Sequence, residues 1–239
     1  MTPLVLVHGF LGGAAHWTDL GAALHPRPVV ALDLPGFGAA ARQAPLPSIA
    51  AYGRWVIETL AARGIERYGL LGHSMGGMIA QEIARQDAPR VERLVLYGTG
   101  PDGVLPGRFE TIAESKRRAQ VDGPGPTARR IAATWLLQRE EAALYGQVAA
   151  VAELAGLGAI LAGLDAMAAW SGGDALSDVA CPTLVLWGDQ DRTYGWSQTA
   201  TLWRGINGAQ LCVVPQAAHL VHLDAPDVFV PVLRSFLAS

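Results

Sequence analysis

Gly72-His73-Ser74-Met75-Gly76-Gly77 stands between a short apolar run, Tyr68–Gly72, and a segment of helical period, Ser74–Gln86. It is a Gly-x-Ser-x-Gly pattern at a strand-to-helix junction. A turn that sharp strains the backbone of its central residue. A Cβ at Gly72 or Gly76 would collide with neighbouring elements, so small residues are required on both sides. The turn lifts Ser74 to the end of the sheet, where its hydroxyl is presented as a nucleophile. A serine that only capped the helix would not need the flanking glycines.

On either side of this junction, Val- and Leu-rich runs alternate with longer helical segments. The runs are Leu4–His8, Pro28–Asp33, Tyr68–Gly72, Leu94–Gly98, Thr183–Gly188 and Gln210–Val214. They are nearly continuous in apolar character, as strands buried on both faces are. Ala14–Leu24, Ser48–Arg63, Ser74–Gln86, Gly195–Ile206 and Pro226–Leu237 read as helices, and in the second Tyr52, Trp55, Val56, Thr59 and Leu60 share one stripe. The alternation predicts an α/β fold with a mostly parallel sheet of about six strands and helices on both faces. One stretch breaks the rhythm. Residues 101–177 hold no strand-like run, only Ala- and charge-rich helical text interrupted by Gly107, Pro124, Pro126 and Gly172-Gly173. That is too long for a plain loop. It is expected to form a helical cap inserted into a core made of residues 1–100 and 178–239, lying over the carboxyl ends of the strands where such sheets place their ligands.

Composition narrows the partners. The 239 residues carry 18 Lys and Arg against 21 Asp and Glu, a net charge of −3, and 51% are hydrophobic. Such a chain is not disordered. It lacks the dominant basic patch of a nucleic-acid or anionic-membrane binder, and no apolar run approaches the ~20 residues of a membrane span. With no basic leader at its start, it is expected to be cytoplasmic, with a small-molecule substrate as partner and neither nucleic acid nor membrane; oligomeric state stays open. Cys181 and Cys212 make no disulfide framework and read as small buried hydrophobes. The histidines lack metal-ligand spacing and no Gly-rich phosphate loop is present, so neither metal nor organic cofactor is expected.

A serine hydroxyl needs a base, and the base needs a carboxylate to orient it. His219 follows the last strand after the short loop Pro215-Gln216-Ala217-Ala218 and is the favoured base, with His222 as the alternative. His8 reads as a structural hydrogen-bonding residue, His73 as fixed in the turn, and His16 and His25 as surface or helix-edge residues. In Gly188-Asp189-Gln190-Asp191-Arg192, Asp191 is the favoured carboxylate and Asp189 a turn support. The order Ser74, Asp191, His219 is the one expected when such a triad is built on this sheet. An oxyanion hole needs two backbone N–H groups. Met75 offers one, and Phe10, in His8-Gly9-Phe10-Leu11-Gly12-Gly13, the other.

These segments, with Asp33-Leu34-Pro35-Gly36-Phe37-Gly38 and Ala218-His219-Leu220-Val221-His222-Leu223, together resemble the α/β-hydrolase fold superfamily from end to end. The resemblance implies that Asp33 belongs to a structural turn and that the usual leading antiparallel hairpin is absent. Within the superfamily the chain looks like esterases, enol-lactonases and carbon–carbon bond hydrolases of vinylogous diketones. His73 and Leu220 stand where ring-cleavage-product hydrolases commonly carry Asn and Trp. The expected activity is hydrolysis of a small carboxylic ester or lactone through an acyl-enzyme. Diketone cleavage, a haloperoxidase-like activity and a non-catalytic small-molecule receptor are the alternatives. Leu11, Trp135, Trp170 and Leu220 are candidate pocket residues, joined by Leu136, Leu137 and Met167. Arg117, Arg118, Arg129, Arg130, Arg139 and Arg192 are either anchors for a substrate carboxylate or plain surface and ion-pair residues.

Overall fold

A computed structural model of the chain describes residues 1–105 and 109–238, so Gly107 lies outside the described residues. Six strands form one sheet: β1 Leu4–Val7, β2 Val29–Leu32, β3 Tyr68–His73, β4 Val91–Tyr97, β5 Thr183–Gly188 and β6 Gln210–Val214. Their order is β2-β1-β3-β4-β5-β6, and every pairing is parallel. The continuous apolar text has the expected cause in the inner strands, since β1 and β3 are buried along their whole length. The edge strands differ: β2 is largely half-buried, and in β6 Gln210 and Val213 are exposed. Each edge has a strand on one side only, so apolar sequence there overstates burial.

Successive residues of a strand point to opposite faces. Val5, Val7, Leu70, Leu94 and Leu96 therefore join one core, while Leu4, Leu6, Leu71, Val95 and Tyr97 join the other. The first face carries α2 (Ile49–Ala62) and α3 (Met75–Gln86); the second carries α1 (Thr18–Ala23) and, at the chain's end, a helix over Pro226–Ala238. Ser48 caps α2 by accepting from the Ala51 N–H at 3.1 Å, and Tyr52, Val56 and Leu60 form its fully buried stripe.

The β4–β5 connection holds α4 (Ile112–Val121), α5 (Pro124–Ala133), α6 (Tyr145–Ala152) and α7 (Leu157–Ala168). Its two stems meet at a neck: Gly103 N–H donates to the Trp170 carbonyl at 3.1 Å and Gly172 N–H to that of Pro101 at 2.8 Å. The neck is pinned to the sheet's own helix layer, because Trp170 Nε1 donates to Glu82 Oε1 on α3 at 3.0 Å. After β5 come α8 (Trp196–Gly205), β6, α9 (Val221–Asp224) and the last helix, α10 (Pro226–Ala238). Among the described residues no single helix is long and apolar enough to cross a membrane. Cys181 and Cys212 are unpaired and only partly buried, less buried than their apolar surroundings in sequence implied.

Candidate active site

The strand order reverses between β1 and β3: β2 lies on one side of β1 and all later strands on the other. Loops leaving the carboxyl ends of β1 and β3 diverge there and open a crevice. Gly9 and Ser74 face each other across it, close enough that a Cβ built on Gly9 would stand 2.8 Å from that of Ser74.

Ser74 has φ 56° and ψ −121°, a left-handed conformation rare outside glycine. Holding it costs roughly 1–3 kcal/mol, which the surrounding contacts must supply. They are on hand: the Ser74 N–H donates to the Tyr97 carbonyl at 3.0 Å, and its carbonyl accepts from Thr99 Oγ1 at 2.8 Å. Its hydroxyl caps nothing, since α3 has no side-chain N-cap bond. Gly76 explains the need for a small residue, because a Cβ there would lie 2.2 Å from the Val7 carbonyl oxygen.

His219 and Asp191 meet on neighbouring loops. His219 Nδ1 donates to Asp191 Oδ2 at 2.8 Å, and both side chains are buried. The other carboxylate oxygen accepts the N–H groups of Thr193 at 2.7 Å and Tyr194 at 3.1 Å. By taking the Nδ1–H, the carboxylate fixes the imidazole in the tautomer that leaves the Nε2 lone pair free. The Tyr194 ring stacks on His219 at 5.7 Å and 11°. Ser74 and His219 line one narrow cavity with Phe10, Trp135, Met167, Ile112, Ile131 and Thr193. Neither the Phe10 nor the Met75 N–H donates to a protein acceptor among the described residues.

Of the remaining histidines, His25 is exposed, and His8, His73 and His222 are tied down by hydrogen bonds. Leu34 N–H donates to His8 Nε2 at 3.0 Å and His8 Nδ1 lies 2.8 Å from the Gly9 carbonyl, so the ring props the Gly9–Phe10 loop. Burial lowers its pKa to about 4. His73 Nε2 donates to the His219 carbonyl at 3.1 Å, and burial holds its pKa well below the usual value. His222 uses Nε2 on the His16 carbonyl and Nδ1 on the Tyr97 hydroxyl, both at 3.0 Å, which leaves it no free nitrogen; burial lowers its pKa to about 3. His16, expected at the surface or a helix edge, lies half-buried in the short helical turn Ala14–Trp17. It packs edge-on to Trp135 at 6.4 Å, and burial lowers its pKa. Asp33 ties its turn by accepting from Ala14 and Ala39 N–H groups at 2.9 and 3.1 Å.

Of the candidate pocket residues, Trp135 and Met167 line the cavity and Leu11, Trp170 and Leu220 do not. Leu11 is fully buried in the core beneath its loop. Trp170 is taken by Glu82 at the neck, and the Leu220 N–H donates to the Trp135 carbonyl at 2.9 Å, a backbone role. Leu136 and Leu137 border a crevice outside the cavity. Four of the arginines pair elsewhere: Arg117 and Arg118 with Glu114, Arg129 with Glu153, Arg130 with Glu110. Arg192 donates to the carbonyls of Leu136 and Leu137. Ile112, Ile131, Thr193 and Tyr194 were not singled out from sequence. Thr193 and Tyr194 carried a usable signal, their position just past Asp191. Among the described residues no cluster of His, Cys, Asp or Glu is arranged to hold a metal.

A model of an alpha/beta hydrolase family matches residues 4–232. The chain is 31% identical to the 2-succinyl-6-hydroxy-2,4-cyclohexadiene-1-carboxylate synthase of Serratia proteamaculans, over 99% of this chain and 93% of the relative. It is 28% identical to the protein named "Putative carbamate hydrolase RutD" of Azorhizobium caulinodans, over 98% of this chain and 91% of that one. The crystal structure of the enol-lactonase from Burkholderia xenovorans superposes with a TM-score of 0.90 at 22% identity, covering all of this chain and 92% of the other, a likeness of fold.

Proposed function

This chain belongs to the alpha/beta hydrolase family, and from that premise we propose that it is a serine hydrolase of a small carboxylic ester or lactone. The observation that carries the reading is the meeting of Ser74, in its strained turn, with the buried His219–Asp191 pair on one cavity. His219, oriented by Asp191, takes the Ser74 proton as Oγ attacks the substrate carbonyl. The Phe10 and Met75 N–H groups receive the developing oxyanion, and each such donor is worth about 100- to 1,000-fold in rate. His219 then gives its proton to the leaving alcohol. Water enters, is deprotonated by His219, and releases the acid from Ser74. The helices between β4 and β5 act as a cap, supplying the apolar wall of Trp135, Ile112, Ile131 and Met167.

One relative is named "Putative carbamate hydrolase RutD", and a carbamate carbonyl would be attacked in the same way. The test is turnover of p-nitrophenyl acetate and butyrate by the protein and by Ser74→Ala, with fluorophosphonate labelling of Ser74. Labelling, and a loss on the order of a million-fold in the variant, are expected. Full activity of Ser74→Ala would overturn the reading, and an unlabelled protein that turns over no ester would favour a receptor.

A further inference from the structure

Thr193 Oγ1 is buried and has no hydrogen-bond partner in the protein. Buried hydroxyls are ordinarily satisfied, and one left bare costs free energy that a partner would recover. Several other buried side-chain atoms are also unpartnered, but among the described residues Thr193 is the one of these that lines the cavity with Ser74 and His219. Its position is rigid. The Thr193 N–H donates to Asp191 Oδ1 at 2.7 Å, so the carboxylate that orients His219 also sets where this side chain stands. The facing walls are apolar: Phe10, Leu105, Ile112, Ile131, Trp135 and Met167.

We propose that the Thr193 hydroxyl is a specificity-determining group that hydrogen-bonds a second oxygen of the substrate, a hydroxyl or carbonyl lying beyond the reacting ester or lactone carbonyl. The natural substrate class is then an oxygen-substituted ester or lactone, not a plain alkanoate. A hydroxyl both donates and accepts, so either oxygen type fits. A site with a buried polar group discriminates against the analogue that leaves it unpaired. The inference rests on the serine-hydrolase reading.

The test compares p-nitrophenyl 3-hydroxybutyrate and 3-oxobutyrate with the butyrate, and 2-hydroxyethyl with propyl butyrate, for the protein, Thr193→Val and Thr193→Ser. The readout is the ratio of kcat/KM within each pair. At least one pair is expected to favour the oxygenated member about tenfold, with the ratio falling near one in Thr193→Val and kept in Thr193→Ser. A structural role is told apart by stability: losing an unpartnered hydroxyl leaves the denaturation midpoint unchanged or raised in Thr193→Val, whereas a lowered midpoint with unchanged ratios would overturn the proposal. Ratios near one throughout, in a protein whose Ser74 is labelled by fluorophosphonate, overturn the Thr193 assignment alone. An unlabelled protein inert to every ester overturns the hydrolase reading with it.

Discussion

Arg192 and Asp224 hold the same peptide unit of the β4–β5 connection from its two ends: Arg192 Nη1 donates to the Leu136 carbonyl at 3.0 Å, and Asp224 accepts the Leu137 N–H at 3.2 Å. Asp224 also accepts the Ala218 N–H at 2.9 Å. Arg192 follows Asp191 and Ala218 precedes His219, so the clamp joins the loops of Asp191 and His219 to the segment carrying Trp135. Charge-assisted bonds of this kind are worth roughly 1.5–3 kcal/mol each. Arg192→Ala is expected to lose about 2 kcal/mol of stability in urea denaturation and about tenfold in kcat/KM on a short ester. A double-mutant cycle with Asp224→Asn should show coupling, because both act on one peptide unit. Lost stability with unchanged kcat/KM would show that the wall and the catalytic loops are independent.

The two histidines of the last loop are expected to separate cleanly. His219 has a free Nε2 on the cavity, whereas both ring nitrogens of His222 are engaged with Tyr97 and His16. His219→Asn should lower kcat by about a thousandfold or more with little change in melting. His222→Gln should cost about 1–3 kcal/mol of stability through orphaned buried partners, with turnover per titrated active site nearly retained. The reverse pattern would move the base to His222.

Legibility in the sequence follows how local the cause is. The turn at Ser74 and the loop at Gly9 were readable because the backbone conformation demands glycine within a few residues. Asp191 and His219 were readable because each lies a fixed short distance past a strand end, and the parallel order brings strand ends together. The pocket was less so. Trp170 and Trp135 look alike in helical, Ala-rich text, and only the docking of the helices sends one to Glu82 and the other to the cavity. The partial burial of His16 likewise depends on Trp135, from a part of the chain far from its own helix.

Close approach at the turn sets a third expectation. A Cβ on Gly76 would meet the Val7 and His8 carbonyl oxygens at 2.2 and 2.6 Å, and both belong to backbone where the inner strand β1 ends. Neither can yield without moving the strand. Gly76→Ala should therefore cost at least about 3 kcal/mol, read as loss of soluble folded protein or a collapse in melting temperature. Gly146, in α6, has nothing within 4 Å of its added Cβ. Gly146→Ala should be neutral or stabilising by up to about 1 kcal/mol. Equal effects at the two positions would contradict the packing described for the turn.

Stability should fall on mild acidification, and the sign follows from the buried histidines. His8 and His222 are neutral in the fold, with burial lowering their pKa values to about 4 and about 3, and His73 is displaced in the same direction. Unfolded, each titrates near 6.5. Between that value and the folded one, the unfolded chain binds protons that the folded chain refuses, so stability is complete above about pH 6.5 and declines as pH drops. Each histidine contributes up to about 1.4 kcal/mol per pH unit within its window, which for His8 and His222 together is about 3 kcal/mol between pH 6.5 and 5. Asp224, whose carboxyl is pushed up by burial, works the other way, but only within the carboxylate range. Urea midpoints at pH 7, 6 and 5 should fall progressively, and His222→Gln, which removes one titrating group, should show a shallower slope. A midpoint independent of pH across this range would mean that the buried rings accept protons without unfolding.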